Sequence, residues 1–384
     1  MDTPTLSVSA DADAPVMLLT GDIARFNDET RDKYTKGQKI GEGTYAVVFK
    51  GHEKVTGRPV AIKKIKISSA DDGMSLDSLR EIKHLQELHH ENIIELLDIF
   101  VGKRHNIHVV LEHLAGDLEG IIRDTKNFLF GSSEIKSWMA MSLRGLWWCH
   151  INGVLHRDIK PNNLLYTTNG VLKLADFGLA RNFGEPGEVR MTAQVITRWY
   201  RPPELFFGAR SYSSAVDVFS LGLVFAELIK RVPLLAGDSD VGQLQLIART
   251  LGTPTESNWP GVSKLPSYVI PNADDVKPEA DRAFYRMNFF SISQSGQDLM
   301  RFMLRLDPRK RISCRQALES EWFKEEPLPT KPENLPIKKD KEALEKVGQD
   351  LKRRAGFDER MDGGDLDVGN RGSKVARRLD FGAM

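Results

Sequence analysis

Along residues 34–67, "YTKGQKIGEGTYAVVFKGHEKVTGRPVAIKKIKI", β-branched and polar positions alternate, and the alternation breaks at Gly41, Gly43, Gly51 and Gly57. That pattern predicts three antiparallel strands joined by tight turns. The next segment, "SLDSLREIKHLQEL", sets Leu79, Ile82, Leu85 and Leu88 at helical spacing, and "NIHVVLEHL" returns to strand character. Together they predict a small sheet carrying one helix. After Leu114 the pattern lengthens into helical segments such as "SSEIKSWMAMSLRGLWWCHING" and "SSAVDVFSLGLVFAELIKR", with short strands around residues 155–178. The expected fold is therefore α+β in two lobes, 34–114 mainly sheet and 115–323 mainly helix. Residues 1–33, rich in Asp, Ala, Ser and Thr without periodicity, are expected to be a disordered leader, and the mixed-charge residues 324–384 a flexible tail.

A chain of 384 residues with 41% apolar content can bury two cores. Its 54 basic and 53 acidic residues nearly cancel, leaving +1, so composition offers no electrostatic footprint for direct nucleic-acid binding. The two cysteines, Cys149 and Cys314, lack metal-ligand spacing and exclude a disulfide framework. The longest apolar run, "AVDVFSLGLVFAELI", contains Asp217 and is too short to span a bilayer; it reads as a buried helix, with no membrane partner expected. No basic segment followed by an apolar one opens the chain, so secretion is not expected.

Four stretches place polar groups where packing alone would not. "GEGTYAVV" joins two strands, which excludes a Walker loop or a dinucleotide fingerprint; on its own it is a weak signal, equally suited to a hairpin turn or to backbone amides approaching phosphates. "VAIK" puts Lys63 in an apolar strand, where a bare ammonium is costly, and Glu81 on the following helix is a candidate partner. "LADFG" leaves the carboxylate of Asp176 between a strand and a glycine, a position that a divalent cation would satisfy. "LHRDIKPNNLL" sets Asp158, Lys160 and Asn163 at short offsets inside otherwise core-like text.

Taken in order, Gly41-x-Gly43, Lys63, Glu81, His156-Arg157-Asp158, Asn163, Asp176-Phe177-Gly178 and Pro203-Glu204 resemble the eukaryotic protein kinases over residues 34–323. The resemblance implies the bilobal kinase fold. It implies that Asp158 orients the attacking hydroxyl, Lys160 steadies the transferring phosphoryl, Lys63 paired with Glu81 holds the ATP phosphates, and Asn163 and Asp176 bind Mg²⁺. By the same match the nucleotide site takes in Ile40, Gly41, Glu42, Gly43, Thr44, Tyr45, Ala46, Val47 and Val48 of the phosphate loop. It continues through Leu111 as gatekeeper, Glu112 and Leu114 at the adenine hinge, and Asp117 near the ribose. Asp217 would brace the catalytic loop, and Arg311 would pair with Glu204.

"TRWYR" is shared with mitogen-activated kinases, but those carry Thr-x-Tyr before the valine, where this chain has Gln194 and the single phosphorylatable Thr192. The segments "REIKHLQELHHENIIELLDIF", "DIKPNNLLYTTNGVLKLADFGLARNFG" and "GDSDVGQLQLIARTLGTPTESNWP" are similar to the cyclin-dependent-kinase-activating subfamily that serves general transcription factor IIH. This implies a nuclear, proline-directed serine/threonine kinase acting on RNA polymerase II C-terminal-domain heptads and, in some lineages, on other cyclin-dependent kinases. The implied partners are a cyclin H-type cyclin, a RING-finger assembly factor and the transcription factor IIH core. Arg80, Arg157 and Arg181 match the family pocket for phosphorylated Thr192. The proline preference is expected to come from strained backbone around Val195. The rival readings are a mitogen-activated-type kinase and a kinase-fold scaffold of transcription factor IIH. Ala46 replaces the third glycine of the phosphate loop, a feature this subfamily shares, while Pro202 and Phe219 depart from the common motifs and read as packing changes.

Overall fold

The computed structural model describes residues 21–43, 46–66, 75–102, 106–183 and 196–337. It opens with a helix, α1 (Asp22–Asp32), inside the stretch expected to be a disordered leader, and that expectation is corrected from Gly21 onward. The helix has a binding partner in the sheet that follows. Strands β1 (Tyr34–Glu42), β2 (Ala46–Glu53) and β3 (Pro59–Ile65), helix α2 (Leu76–Glu87), and strands β4 (Leu96–Val101) and β5 (Ile107–Glu112) form the small lobe. Its sheet is antiparallel in the order β1-β2-β3-β5-β4, so β4 is an edge. On that edge Asn27 Oδ1 accepts the Val101 N–H at 2.6 Å and Asn27 Nδ2 donates to the Val101 carbonyl at 3.0 Å. An amide side chain thus takes the place of a sixth strand at this point, which blunts an otherwise open edge.

Helix α2 starts where Ser75 accepts the Ser78 N–H at 3.2 Å, a side-chain cap worth about 1 kcal/mol. Its inner face buries Leu85 and Glu81, and Leu88 follows at the cap. Leu79, expected on that face, instead points outward with 46% exposure beside Leu76 at 66%. Four apolar residues at helical spacing describe a stripe wider than the small sheet can cover.

The large lobe runs through β6 (Gly116–Asp117), α3 (Leu118–Arg123), α4 (Ser132–Ile151), β7 (Val154–Leu155), β8 (Leu164–Tyr166), β9 (Leu172–Leu174), β10 (Arg181–Asn182), α5 (Pro203–Phe206), α6 (Ala215–Lys230), α7 (Asp240–Leu251), α8 (Arg282–Asn288), α9 (Gln294–Met303) and α10 (Cys314–Leu318). Helix α6 is the apolar run singled out in the sequence, and Ala215 through Leu228 are all buried. Each leucine so enclosed contributes about 1.5–3 kcal/mol. Helices α7, α8, α9 and α10 each begin at a Ser or Asp whose side chain accepts a first-turn N–H. The three-stranded sheet β6-β8-β9 and the pair β7-β10 fix the two ends of the loop that contains Asp158.

The tail expected from residue 324 also needs correction, because residues 324–337 are part of the folded body. Lys136, wholly buried on α4, donates to the carbonyls of Glu325 and Pro327 at 2.7 and 2.8 Å. Thr330 bonds Ser133 and Glu134, and Leu335 and Ile337 join the core. The physical reason is an ammonium that must be satisfied inside the lobe. Among the described residues no helix is long and apolar enough to cross a membrane.

Candidate functional site

Lys63 lies in the central strand β3, opposite Val48 on β2 and Val109 on β5. Its Nζ meets both Glu81 oxygens, at 2.6 and 2.7 Å. Burial opposes the charge on Lys63, but the carboxylates of Glu81 and Asp176 overcome it and hold the lysine pKa above its ordinary value. The same three groups therefore stand close enough to act on one another, across the boundary between the lobes.

Beyond β7, Arg157 takes left-handed backbone at φ 63° and Asp176 at φ 64°. Neither is glycine, so each conformation must be held by its surroundings. Asp217 on α6 supplies the first restraint, accepting the N–H groups of His156 and Arg157 at 3.0 and 2.8 Å and the His150 ring at 2.9 Å. Burial disfavours the Asp217 charge, yet these partners keep its carboxyl below the usual range. His156, buried against the Phe177 ring and bonded to the Ala175 carbonyl, is pushed toward its neutral form by burial.

Asp158 is the focus of the loop. Its Oδ2 accepts Lys160 Nζ at 2.6 Å and Asn163 Nδ2 at 2.9 Å, and its Oδ1 accepts the Thr197 hydroxyl at 3.0 Å. Burial would raise its pKa, but Lys160 and the other partners keep it lowered, so Asp158 is an anion at neutral pH. Asn163 donates its amide a second time, to the Asp158 carbonyl at 2.8 Å. Among the described residues its Oδ1 has no hydrogen-bond partner, nor has the exposed Asp176 carboxylate. Two unengaged hard oxygen donors suit a cation that draws its remaining ligands from phosphate and water. No group of three or more His, Cys, Asp or Glu positioned for a metal occurs among the described residues.

The residues of the nucleotide-site expectation lie on β1, β2, β5, the stretch after β5, and β6. Gly41 and Glu42 pair with Val48 and Val47, and the Gly43 N–H bonds the Ala46 carbonyl at 2.8 Å, closing the hairpin; Thr44 and Tyr45 lie outside the described residues. Ile40 precedes them on β1. Leu111 sits opposite Ala61 in β5, and the Glu112 carboxylate is committed to Lys173 at 2.7 Å and the Glu95 N–H at 2.8 Å. The backbone N–H and C=O of Leu114 make no hydrogen bond among the described residues, which leaves both open to a planar heterocycle. Asp117 caps α3 by accepting the Gly120 N–H at 2.8 Å.

Arg80, Arg157 and Arg181 are brought together from three elements: after burial, it is the charges of Arg80 and Arg157 that most depress Arg181. Arg157 is anchored to the Leu179 carbonyl and the Tyr212 hydroxyl, Arg80 to Asp77, and Arg181 Nε is buried with no partner among the described residues. Thr192, Gln194 and Val195 lie outside the described residues. Glu204 and Arg311 form a buried pair at 2.5 and 2.7 Å.

Two residues had not been singled out. Ile196 has φ 70°, a strained value for a β-branched side chain, and its carbonyl accepts Arg201 Nε and Nη2 at 3.2 and 3.0 Å. Thr197 bridges Asp158 and Lys160. The strain assigned to the neighbourhood of Val195 is thus observed one residue on, and no periodicity or composition marks it.

The protein kinase domain family matches residues 34–323. The serine/threonine-protein kinase KIN28 of Saccharomyces cerevisiae is 48% identical over 306 residues, covering 80% of this chain and 98% of the relative. Cyclin-dependent kinase 7 of Xenopus laevis is 48% identical, with 79% and 84% covered. A chain of the CAK complex from Chaetomium thermophilum, solved bound to ATP-gamma-S, superposes with a TM-score of 0.79 at 51% identity, over 82% of this chain and 98% of that one.

Proposed function

The chain belongs to the protein kinase family and, within it, to the serine/threonine kinases typified by KIN28 and cyclin-dependent kinase 7, and from there we propose that it is the catalytic subunit of a cyclin-dependent-kinase-activating complex. It transfers the γ-phosphoryl of ATP to Ser-Pro sites of RNA polymerase II C-terminal-domain heptads, and to activation threonines of other cyclin-dependent kinases. A cyclin H-type cyclin and a RING-finger assembly factor complete the complex, which works in the nucleus with the transcription factor IIH core. The observation that carries the reading is the Asp158 carboxylate, ionised, buried and held by Lys160, Asn163 and Thr197.

In this mechanism Asp158 accepts a hydrogen bond from the substrate serine and aims its oxygen at the γ-phosphorus. Lys160, already at the same carboxylate, stabilises charge on the transferring group. Lys63 holds the ATP phosphates while Glu81 fixes its position, so the pair transmits the placement of α2 to the reacting atoms. The phosphate loop, Leu111, Glu112, Leu114 and Asp117 seat the nucleotide. Asn163 and Asp176 would hold Mg²⁺, whose charge offsets that of the phosphates when bound. Phosphoryl transfer has a loose transition state, so positioning and electrostatics supply most of the acceleration.

Cyclin dependence is supported by the outward leucines of α2, Leu76 and Leu79, which the chain's own sheet leaves uncovered. The test is the initial rate on a heptad-repeat peptide for the purified chain alone and after addition of cyclin and assembly factor. Near-zero activity alone and a large rise on assembly is expected. Equal rates in both states would overturn cyclin control, and no transfer in either would overturn the substrate assignment.

A further inference from the structure

Cys314 opens helix α10 just under the surface, 2% exposed, with its Sγ 3.6 Å from His150 Nδ1 on α4. On the other side of the same ring, His150 Nε2 lies 2.9 Å from Asp217 Oδ2. Sulfur, imidazole and carboxylate are therefore linked in series, from three elements far apart in sequence. That series is the arrangement by which a histidine takes a thiol proton while a carboxylate steadies the resulting imidazolium. Phosphoryl transfer uses Asp217 as a brace and has no role for the sulfur.

We infer that Cys314 is an oxidant-sensing thiol, converted by hydroperoxides to a sulfenic acid, and that its oxidation is felt at the catalytic loop through His150 and Asp217. In the step, the proton that Cys314 Sγ and His150 Nδ1 share stays on the imidazole, and the sulfur attacks one peroxide oxygen. The S–O bond forms as the O–O bond breaks, and the departing hydroxide recovers the proton from His150 as water. With hydrogen peroxide the sum is Cys–SH + H₂O₂ giving Cys–SOH + H₂O, sulfur losing the two electrons that the peroxide gains.

Access needs only a local opening. Helix α10 has five residues, its first turn is closed by the reciprocal Ser313 and Gln316 bonds, and Ser313, Arg315 and Gln316 are exposed around the thiol. Such a cover opens at far lower free energy than the whole domain, and the reagent is close to water in size. The consequence follows from what Asp217 already holds. An added oxygen between Cys314 and His150 displaces the ring, and Asp217 Oδ2, shared by His150 and the His156 N–H, shifts with it. Cys149 is an internal control: it is wholly enclosed, and burial, then the charges of Asp217 and Cys314, push its thiol well up.

The test treats the assembled kinase complex with hydrogen peroxide, traps sulfenic acid with a 1,3-diketone reagent and maps the adduct by mass spectrometry. Expected is labelling of Cys314 roughly tenfold above Cys149, a several-fold fall in kcat that a dithiol reductant reverses, and slower labelling in His150→Gln. Cys314→Ala should keep the untreated rate and lose the response. Mapping on the unaltered chain needs neither that variant nor the proposed substrate, so it separates this inference from the assignment of function. Absence of the adduct at Cys314, or an unchanged peroxide response in Cys314→Ala, overturns the proposal. An adduct at Cys314 with kcat unchanged overturns the coupling to the loop.

Discussion

Asp217 Oδ1 accepts the Arg157 N–H at 2.8 Å while Arg157 sits at φ 63°, so a carboxylate on α6 holds open a backbone turn that an arginine would otherwise avoid. Asp217→Asn puts an N–H₂ group against donors and should cost about 1.5–3 kcal/mol of stability, the range for hydrogen bonds to a charged group. Because the loop also carries Asp158, kcat should fall by roughly 10², as for a misplacement of about 1 Å. Urea midpoints and steady-state rates on one preparation check both; a stable variant with undiminished kcat would show that the brace is dispensable.

The His150 side of this brace gives a pH signature. Burial opposes its protonation, but the Cys314 sulfur and the Asp217 hydrogen bond raise its pKa from the ordinary 6.5 to about 10. A raised folded-state pKa contributes stability that is complete below pH 6.5 and is lost as pH climbs through about 10. Asp217, lowered, contributes in the opposite sense: its share is complete above its ordinary 3.8 and disappears as pH falls through the lower folded value. The stability difference between the unaltered chain and His150→Gln should therefore be largest between these limits and shrink by pH 10, read as urea midpoints across pH. A difference that grows with alkalinity would contradict the ion pair.

Asp158→Asn removes the anion that orients the attacking hydroxyl but preserves size. Turnover should drop by roughly 10² to 10⁴, the usual range for a lost general base, with ATP affinity largely kept. Rapid-quench rates beside nucleotide titrations separate the two effects, and an unchanged rate removes Asp158 from catalysis.

The Ile196 carbonyl is occupied by Arg201, so a peptide N–H arriving after the phosphoacceptor would find no acceptor there. Proline has no such N–H to leave unsatisfied, a penalty of about 1–3 kcal/mol for other residues. Ser-Pro peptides should outperform matched Ser-Ala peptides by roughly tenfold or more in kcat/KM, and Arg201→Met, by freeing the carbonyl, should narrow the gap. Equal kcat/KM for the two peptides in the unaltered enzyme is the outcome that defeats this account.

Arg80 and Arg157 lie close enough to depress the pKa of Arg181, whose Nε is unpartnered among the described residues. A phosphate on Thr192, bringing nearly two negative charges, would satisfy that demand and tie the segment to the helix bearing Glu81. Thr192→Ala should cost much of the activity of the kinase and cyclin pair and less in the three-subunit complex. Rates of both assemblies on a heptad peptide decide it, and no change in either leaves the pocket purely structural.

How far the sequence speaks depends on the kind of constraint. Lys63, Glu81, Asp158, Asn163 and Asp176 were legible because each breaks the burial logic of its own segment, and the structure then places Lys63 against Glu81 and Asp158 against Asn163. The two-lobe α+β architecture was legible from the change of period near Leu114. Leu79 was not, since periodicity marks an apolar stripe without saying how wide the covering surface is. Helix α1 was hidden because its acidic composition carries little apolar signal; what retains it is Asn27 on the edge of β4. Ile196 and Cys314 escaped for a further reason: backbone strain and side-chain series among distant residues leave no mark on local pattern.

The lysine inside α4 redraws the practical limits of the folding unit. The family match ends at Phe323, yet both acceptors of Lys136 Nζ lie beyond it, at Glu325 and Pro327. A chain cut after Phe323 would carry every catalytic group and still leave a buried ammonium stripped of its partners, next to the Trp322 ring it now faces. The folded body therefore extends at least to Ile337, and the segment after Phe323 clasps α4, the helix that also presents His150 to Asp217.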